Sequence, residues 1–153
     1  MKVHPALVRA ARPDDASAIR DLVRAAYAKW VPVIGREPMP MQADYVTAVA
    51  THVFALAFLP QGLAGLIEVV PRHDHLWIEN LAVHPDAQGQ GLARLLLGQA
   101  EAMARAEGTP ALRLLTNEAF AGNVAVYRHM GFAVTLRDPF RGGFTIHMQR
   151  LLA

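Results

Sequence analysis

A glycine-containing loop offers the clearest chemistry in the sequence. It runs Gln88-Gly89-Gln90-Gly91-Leu92-Ala93 and lies between a predicted strand and a long predicted helix. Successive glycines let several backbone N–H groups point at one spot, and the N-terminus of a helix adds partial positive charge there. Such a loop suits a diphosphate, so a nucleotide-type cofactor is the natural ligand. From the glycines alone, a simple tight turn is the alternative.

Two common phosphate-binding loops do not match this segment. A Walker loop needs Gly-Lys followed by Ser or Thr, and the sequence has no such triplet. The dinucleotide pattern G-x-G-x-x-G would place its third glycine where Arg94 stands, and the next strand ends in Thr116-Asn117 instead of an acidic residue. The loop therefore needs a different assignment.

The elements around the loop predict an α/β fold with a mixed sheet and helices on both faces. Asp14 is predicted as the N-cap or first-turn acid of the first helix, and the prolines between Val31 and Pro40 exclude a long helix there. The unit from Leu76 to Leu115 reads strand–loop–helix–strand, which requires parallel pairing of its two strands. Strands are predicted over residues 6–11, 52–59, 63–70, 76–83, 111–116, 132–137 and 144–151, and further helices over 41–50, 92–107 and 123–130.

These segments resemble the GNAT N-acetyltransferases. Gln88-x-x-Gly91-x-Ala93 matches that family's Q/R-x-x-G-x-G/A pyrophosphate loop, and residues 78–85 look like the strand before it. The run from Asn117 to Gly131-Phe132 is similar to the family's second half, and residues 8–15 to its opening strand and helix. The resemblance implies one GNAT-like domain over residues 1–153, with six to seven strands and a splayed parallel strand pair.

The resemblance also implies the activity, which is transfer of an acetyl group from acetyl-CoA to a primary amine of a small molecule or protein. The loop would hold the diphosphate through backbone amides of Gln88, Gly89, Gln90, Gly91, Leu92, Ala93 and Arg94. In the family, the strand matching Leu81-Ala82-Val83 bulges away from its parallel neighbour. Its backbone would then bind the pantetheine arm, with one N–H facing the thioester oxygen. For the side chains of Leu81 and Val83, core packing is the alternative reading.

Two polar residues four apart, Asn123 and Tyr127, share one face of the short predicted helix. Tyr127 resembles the family tyrosine near the thioester sulfur, where a phenol with an ordinary pKa near 10 can protonate the departing thiolate. Asn123 would contact the cofactor, and Asn117 the substrate or pantetheine. The structural alternatives are core packing for Tyr127, helix capping for Asn123 and turn formation for Asn117.

Glu79 is the first candidate for the general base, with a solvent-facing sheet residue as its alternative. His75 and His84 are further candidates. His73-Asp74-His75 has the residue types of a metal pair, but a polar turn is expected and no metal is predicted. The sequence has no cysteine, which excludes disulfides and an acyl-cysteine intermediate and leaves direct transfer.

The acceptor pocket is expected in the N-terminal half and around Trp77. Its candidate residues are aromatic or apolar, with core packing as the alternative for each: Tyr27, Trp30, Met39 and Tyr45. The 15 basic and 13 acidic residues are interspersed, so no nucleic-acid partner is predicted. No apolar run reaches a membrane span, and Lys2, His4 and Pro5 precede no signal-type segment, so a cytoplasmic monomer or homodimer is expected. A non-catalytic acyl-CoA-binding domain is the alternative function.

Overall fold

Seven strands form one mixed sheet in the computed structural model, which describes residues 6–152. Their spatial order is β1-β2-β3-β4-β5-β7-β6, and every pairing is antiparallel except β4 with β5. Lys2, His4 and Pro5, which entered the expectation that no signal-type segment is present, lie outside the described residues. The strands are β1 (Leu7–Ala10), β2 (Val53–Leu59), β3 (Gly62–Pro71), β4 (Leu76–Val83), β5 (Ala111–Asn117), β6 (Ala133–Phe140) and β7 (Gly143–Leu151).

Within residues 6–152, five α-helices accompany the sheet: α1 (Ala16–Tyr27), α2 (Val31–Ile34), α3 (Tyr45–Thr51), α4 (Leu92–Glu107) and α5 (Ala121–His129). The prolines and Gly35, whose φ is +76°, keep α2 to four residues. Asp14 is an exposed first-turn acid before α1, which is one of the two roles predicted for it. Asp15, the N-cap of α1, accepts a hydrogen bond from the Arg12 N–H at 2.7 Å and pairs with Arg9 at 2.8 Å.

The helices lie on both faces of the sheet, as predicted, and each face has its own core. On one face α4 buries Leu96, Leu97 and Ala100 against alternate residues of β2 to β5. On the other, α1 and α3 bury Ile19 and Val23 against Phe54, Leu56 and Leu66. Alternation along a strand explains this division, since successive side chains point to opposite faces.

β4 bulges and then separates from β5. Across β3 and β4, Glu68 pairs with Asn80 but Val69 pairs with Ile78, so Glu79 is an extra residue. The parallel pairing to β5 consists of Leu76 with Leu112 and the next residue pair only. Beyond that point β4 stays paired to β3 while its other edge is open. The predicted splay is therefore present, and it opens towards the carboxyl ends of both strands.

The half-sheet β5-β7-β6 is bare on the face that α1 and α3 cover elsewhere. Leu115 and Leu136 are 46% and 50% exposed on that face. β7 pairs on both sides, so its edges are unavailable to another subunit, and β6 forms the sheet edge. Within residues 6–152, no helix is long and apolar enough to cross a membrane.

Candidate active site

A small cleft of about 60 Å³ opens where β4 separates from β5. Six of the residues that the sequence analysis selected line it: Leu81, Val83, Gln88, Ala93, Asn123 and Tyr127. The seventh lining residue, Val126, was missed, although it lies one helical turn from Asn123. Strand, loop and α5 therefore contribute to one cavity although they are far apart in sequence.

The glycine loop has the backbone geometry that an anion requires. Gly89 and Gly91 have φ values of +77° and +79°, and a Cβ at either position would meet nothing within 4 Å. Gly91 is the N-cap of α4, and no side chain caps this helix. The first-turn N–H groups of α4 therefore lack intrahelical partners and are available to a ligand. The partial positive charge of such an open helix N-terminus complements the negative charge of a diphosphate.

The side chains of the loop stabilise its position. The amide nitrogen of Gln88 donates to the Val83 carbonyl at 3.2 Å, which ties the loop to the end of β4. Arg94 contacts the ring nitrogen Nε2 of His129 at 3.2 Å, which links α4 to α5. Leu92 points into the core, so only its backbone could serve a ligand, and Gln90 is half-buried.

The three residues of the β4 edge divide between the faces of the sheet. Leu81 and Val83 line the cleft and also pack on the α4 core. Core packing of their side chains is therefore compatible with ligand binding by their backbone. Ala82 is 2% exposed and packs in the α1 core, which directs its side chain away from the cleft. Any contribution of Ala82 to ligand binding is therefore limited to its backbone.

Tyr127 lies at the inner wall of the cleft. The residue is 6% exposed, and its ring packs edge-on against Phe132 with the ring centres 5.8 Å apart. Burial raises the pKa of its phenol well above the usual value, so the hydroxyl is protonated at neutral pH. Among the described residues the hydroxyl has no hydrogen-bond partner. It is therefore a free donor that faces the cleft.

The two asparagines differ in their local roles. Asn123 is the third residue of α5, whose N-cap is Phe120, so Asn123 lines the cleft and does not cap the helix. Asn117 ends β5, and its side-chain oxygen accepts from the N–H of Ala119 at 2.9 Å. The observed contact of Asn117 therefore stabilises a turn, which is the structural alternative given for it in the sequence analysis.

Glu79 is exposed on the α1 side of β4, and its carboxylate accepts a hydrogen bond from the Trp77 indole at 2.9 Å. The bulge brings Glu79 and Asn80 to the same face. Of the other base candidates, His84 accepts from the Asp86 N–H at 3.0 Å and His75 pairs with Asp74 at 2.7 Å. Of the three base candidates, Glu79 is the most exposed to solvent, since His75 and His84 are both half-buried.

A buried polar network beneath Glu79 was missed. The Tyr27 hydroxyl donates to Asn80 at 2.7 Å, and the Asn80 amide reaches the Tyr45 hydroxyl at 3.3 Å. Glu68 lies across the β3–β4 pair and contacts His52 at 2.6 Å. Burial raises the pKa of Glu68, which the His52 hydrogen bond opposes. Glu68 and Asn80 are polar residues within largely apolar strands, and this feature of the sequence could have revealed the network.

The predicted acceptor residues separate into core and surface. Tyr27 and Tyr45 belong to the α1 core, which agrees with core packing, the alternative given for both residues. Trp30 is half-buried and stacks on Phe120 with ring centres 5.0 Å apart, whereas Met39 is 63% exposed. Among residues 6–152, no group of three or more His, Asp or Glu side chains could hold a metal ion.

Comparisons with known proteins agree with this geometry. The family model of the GNAT acetyltransferases matches residues 17–132. A PaiA N-acetyltransferase of Thermoplasma acidophilum, solved with coenzyme A, superposes with a TM-score of 0.83 at 18% identity, covering 97% of this chain and 100% of that one. The ribosomal-protein-S18-alanine N-acetyltransferase of Escherichia coli gives 0.77 at 20% identity, with 97% and 95% covered. A nourseothricin acetyltransferase gives 0.75 at 23%, with 95% and 98% covered. No curated protein matches the chain significantly.

Proposed function

Because the chain belongs to the GNAT acetyltransferase family, we propose that it transfers an acetyl group directly from acetyl-CoA to a primary amine. One observation carries the proposal: the splay of β4 from β5, the glycine loop and the Tyr127 hydroxyl converge on a single cleft. A thioester, a diphosphate and a departing thiolate need those three features respectively. The proposal treats residues 1–153 as a single domain.

Acetyl-CoA would be held mainly by backbone groups. The N–H groups from Gly89 to Arg94 would bind its diphosphate at the start of α4, where the helix adds partial positive charge. The open edge of β4 at Leu81 and Val83 would pair with the amide groups of the pantetheine arm. Asn123 and Val126 would flank the arm from α5.

The chemical step needs an oxyanion donor and an acid. The amine nitrogen would attack the thioester carbonyl carbon, and a backbone N–H of the β4 edge would stabilise the oxyanion that forms. One such donor is typically worth about 3 kcal/mol. When the carbon–sulfur bond breaks, Tyr127 would give its proton to the thiolate, and the proton lost by the nitrogen would restore the phenol. Burial raises the pKa of this phenol, so its proton is present at neutral pH when the carbon–sulfur bond breaks.

Glu79 would accept the proton of an arriving ammonium group. It lies on the α1 side of the splay, opposite α4 and its loop, and its carboxylate is open to solvent. This placement separates the base from the acid, which suits a reaction in which the amine and the thiolate occupy opposite sides of the carbonyl carbon. Both small-molecule and protein amines remain acceptors under this proposal.

Free thiol release provides the test. The protein is incubated with acetyl-CoA and a mixed panel of amines, and coenzyme A thiol is followed with a chromogenic disulfide. We expect release that depends on one class of amine. Tight acetyl-CoA binding without turnover across the panel would contradict the enzyme proposal and favour the acyl-CoA-binding alternative.

A further inference from the structure

The guanidinium groups of two arginines lie near one phenylalanine ring at the tip of the β6–β7 hairpin. The guanidinium carbon of Arg36 lies 5.8 Å from the ring centre of Phe140, and that of Arg141 lies 5.2 Å from the same centre. Arg36 belongs to the segment between α2 and α3, whereas Phe140 and Arg141 form the tip of the β6–β7 hairpin. We propose that these two guanidinium groups form a binding site for an anionic group on the acceptor amine.

Glu37 follows Arg36 in the chain, but in the part of the chain that the structure describes no carboxylate pairs with either arginine of this site. Within residues 6–152, the one polar contact of the Arg36 side chain is the Ile34 carbonyl at 3.4 Å. The neighbouring Arg137 differs, since Glu118 pairs with it at 2.6 Å. Asp138, the nearest acid on the hairpin, pairs with His147 at 3.4 Å. Both guanidinium carbons lie within 6 Å of the Phe140 ring centre, so an anion beside that ring would be attracted by both charges.

The backbone at Arg141 supports a role for its side chain. Its φ is +48°, and no other described non-glycine residue has a positive φ. Two-residue hairpin turns favour Asn, Asp or Gly at such a position because other side chains are strained there. Arginine costs stability at this place, and residues with such strained backbones cluster at functional sites, which is consistent with a ligand-binding role for its side chain.

The site lies where the acceptor would enter. Trp30 stacks on Phe120 beside the start of α5, and the chain then continues to Arg36 at the hairpin tip. The segment from Trp30 to Arg36 thereby extends from α5 to the hairpin, near the carboxyl end of β5. Thr145 pairs with Asn117 at the carboxyl end of β5, so the hairpin tip between Phe140 and Gly143 lies at the same end of the sheet as the splay.

The acceptor class follows from this placement and rests on the proposed function. An amine that enters the splay with its nitrogen near Glu79 would extend its far end towards the hairpin tip. A carboxylate or phosphate there would receive charge-assisted hydrogen bonds from both guanidinium forks. We therefore infer an acceptor that carries its amine at one end and an anionic group at the other.

Binding of acetylated product analogues tests this site without relying on turnover. Three compounds with the same chain are titrated calorimetrically into the protein saturated with coenzyme A: 6-acetamidohexanoate, 6-acetamidohexyl phosphate and the neutral 6-acetamidohexanamide. We expect at least one anion to bind about tenfold more tightly than the amide. The carboxylate and phosphate arms tell the two anions apart.

Variants locate the preference. Arg36→Gln and Arg141→Gln should each remove most of the preference for the anion while leaving the affinity for the amide within about twofold. Arg24→Gln, on the exposed side of α1, should leave the preference unchanged. If Arg36 merely tethered the hairpin, its variant would weaken all three compounds equally. Equal affinities in the unmodified protein, including no binding of any, would overturn the proposal.

The two failures are distinguishable. If thiol release occurs with neutral amines and the analogues show no anion preference, the anion site is wrong and the acetyltransferase proposal stands. If the anion preference is present and depends on both arginines but no amine gives thiol release, the acetyltransferase proposal is wrong.

Discussion

The two sides of the β4–β5 splay are built differently. On the α4 side, the groups placed for a ligand belong mostly to the backbone: the N–H groups at the start of α4 and the open edge of β4. On the α1 side they are side chains, namely Glu79, Arg36 and Arg141. A buried network around Asn80, the residue after Glu79, lies on the same side. A backbone site depends on the fold, whereas a side-chain site depends on the particular residues.

This difference suggests a division of labour. The backbone side would recognise what all acetyl-CoA molecules share, and the side-chain side would select the acceptor. It also predicts how substitutions behave. Changes on the α4 side should affect acetyl-CoA whichever amine is used, whereas changes on the α1 side should affect the amine and leave acetyl-CoA affinity alone.

Substitution of Tyr127 is expected to give the largest effect on turnover. Tyr127 lies on the α4 side, where it is the exception, because its side chain and not its backbone would act. Tyr127→Phe removes the proton donor but keeps the ring that packs on Phe132. We expect the turnover number to fall by about 10²–10³-fold, because the thiolate must then leave unprotonated. The dissociation constant for acetyl-CoA should stay within about twofold. Equal turnover numbers for the two proteins would remove Tyr127 from the mechanism.

Gly91 tests the backbone side itself. Gly91→Asp places a carboxylate and a strained left-handed residue at the start of α4, so acetyl-CoA affinity should fall about a hundredfold. Gly108→Asp is the matched control, because Gly108 has a similar φ of +73° at the other end of the same helix. Both variants should lose stability in urea. If both bind acetyl-CoA alike, the loop does not hold the diphosphate.

Glu79 tests the acceptor side. Glu79→Gln should lower kcat/KM for the amine about tenfold, since the amide cannot take the ammonium proton, while it can still accept the Trp77 hydrogen bond. Acetyl-CoA affinity should not change. The control is Glu107→Gln at the exposed end of α4. An unchanged kcat/KM in the Glu79 variant would leave proton removal to solvent or another group.

Glu68 should show the smallest effect, visible only as a pH dependence. Burial raises the pKa of its carboxyl in the folded protein, so folding favours the neutral acid. The free energy of unfolding therefore declines as pH rises from the ordinary glutamate range through the raised folded pKa. Glu68→Gln lacks this decline. Urea unfolding of both proteins between pH 4 and 8 checks it; parallel curves would contradict the assigned burial effect.

The sequence was informative where local patterns govern structure. The boundaries of β4 and α4 were predicted as observed, because alternation and helical periodicity are strong there. The loop was placed correctly between them. Asp14 is the first-turn acid that the sequence predicts. The role of Asp15 was not predicted, because it depends on an ion pair with Arg9 of β1.

The acceptor side was less predictable, because long-range geometry builds it. The bulge at Glu79 shifts the alternation of β4 and buries Asn80, which no periodicity shows. The contacts of Asn80 with Tyr27 and Tyr45 join residues 53 and 35 positions apart. Arg36 lies near Phe140 although 104 positions separate them in the chain, whereas Arg141 is its direct neighbour in sequence.

Amide chemical shifts during an acetyl-CoA titration test the central claim most directly. With ¹⁵N-labelled protein, we predict large shifts at Leu81, Val83 and the loop N–H groups from Gly89 to Arg94, and small ones in β1 and β2. Titration with pantetheine should move the β4 signals and leave the loop signals in place, because pantetheine lacks the diphosphate of acetyl-CoA. Shifts that spare both β4 and the loop, or no saturable shift, would contradict the account.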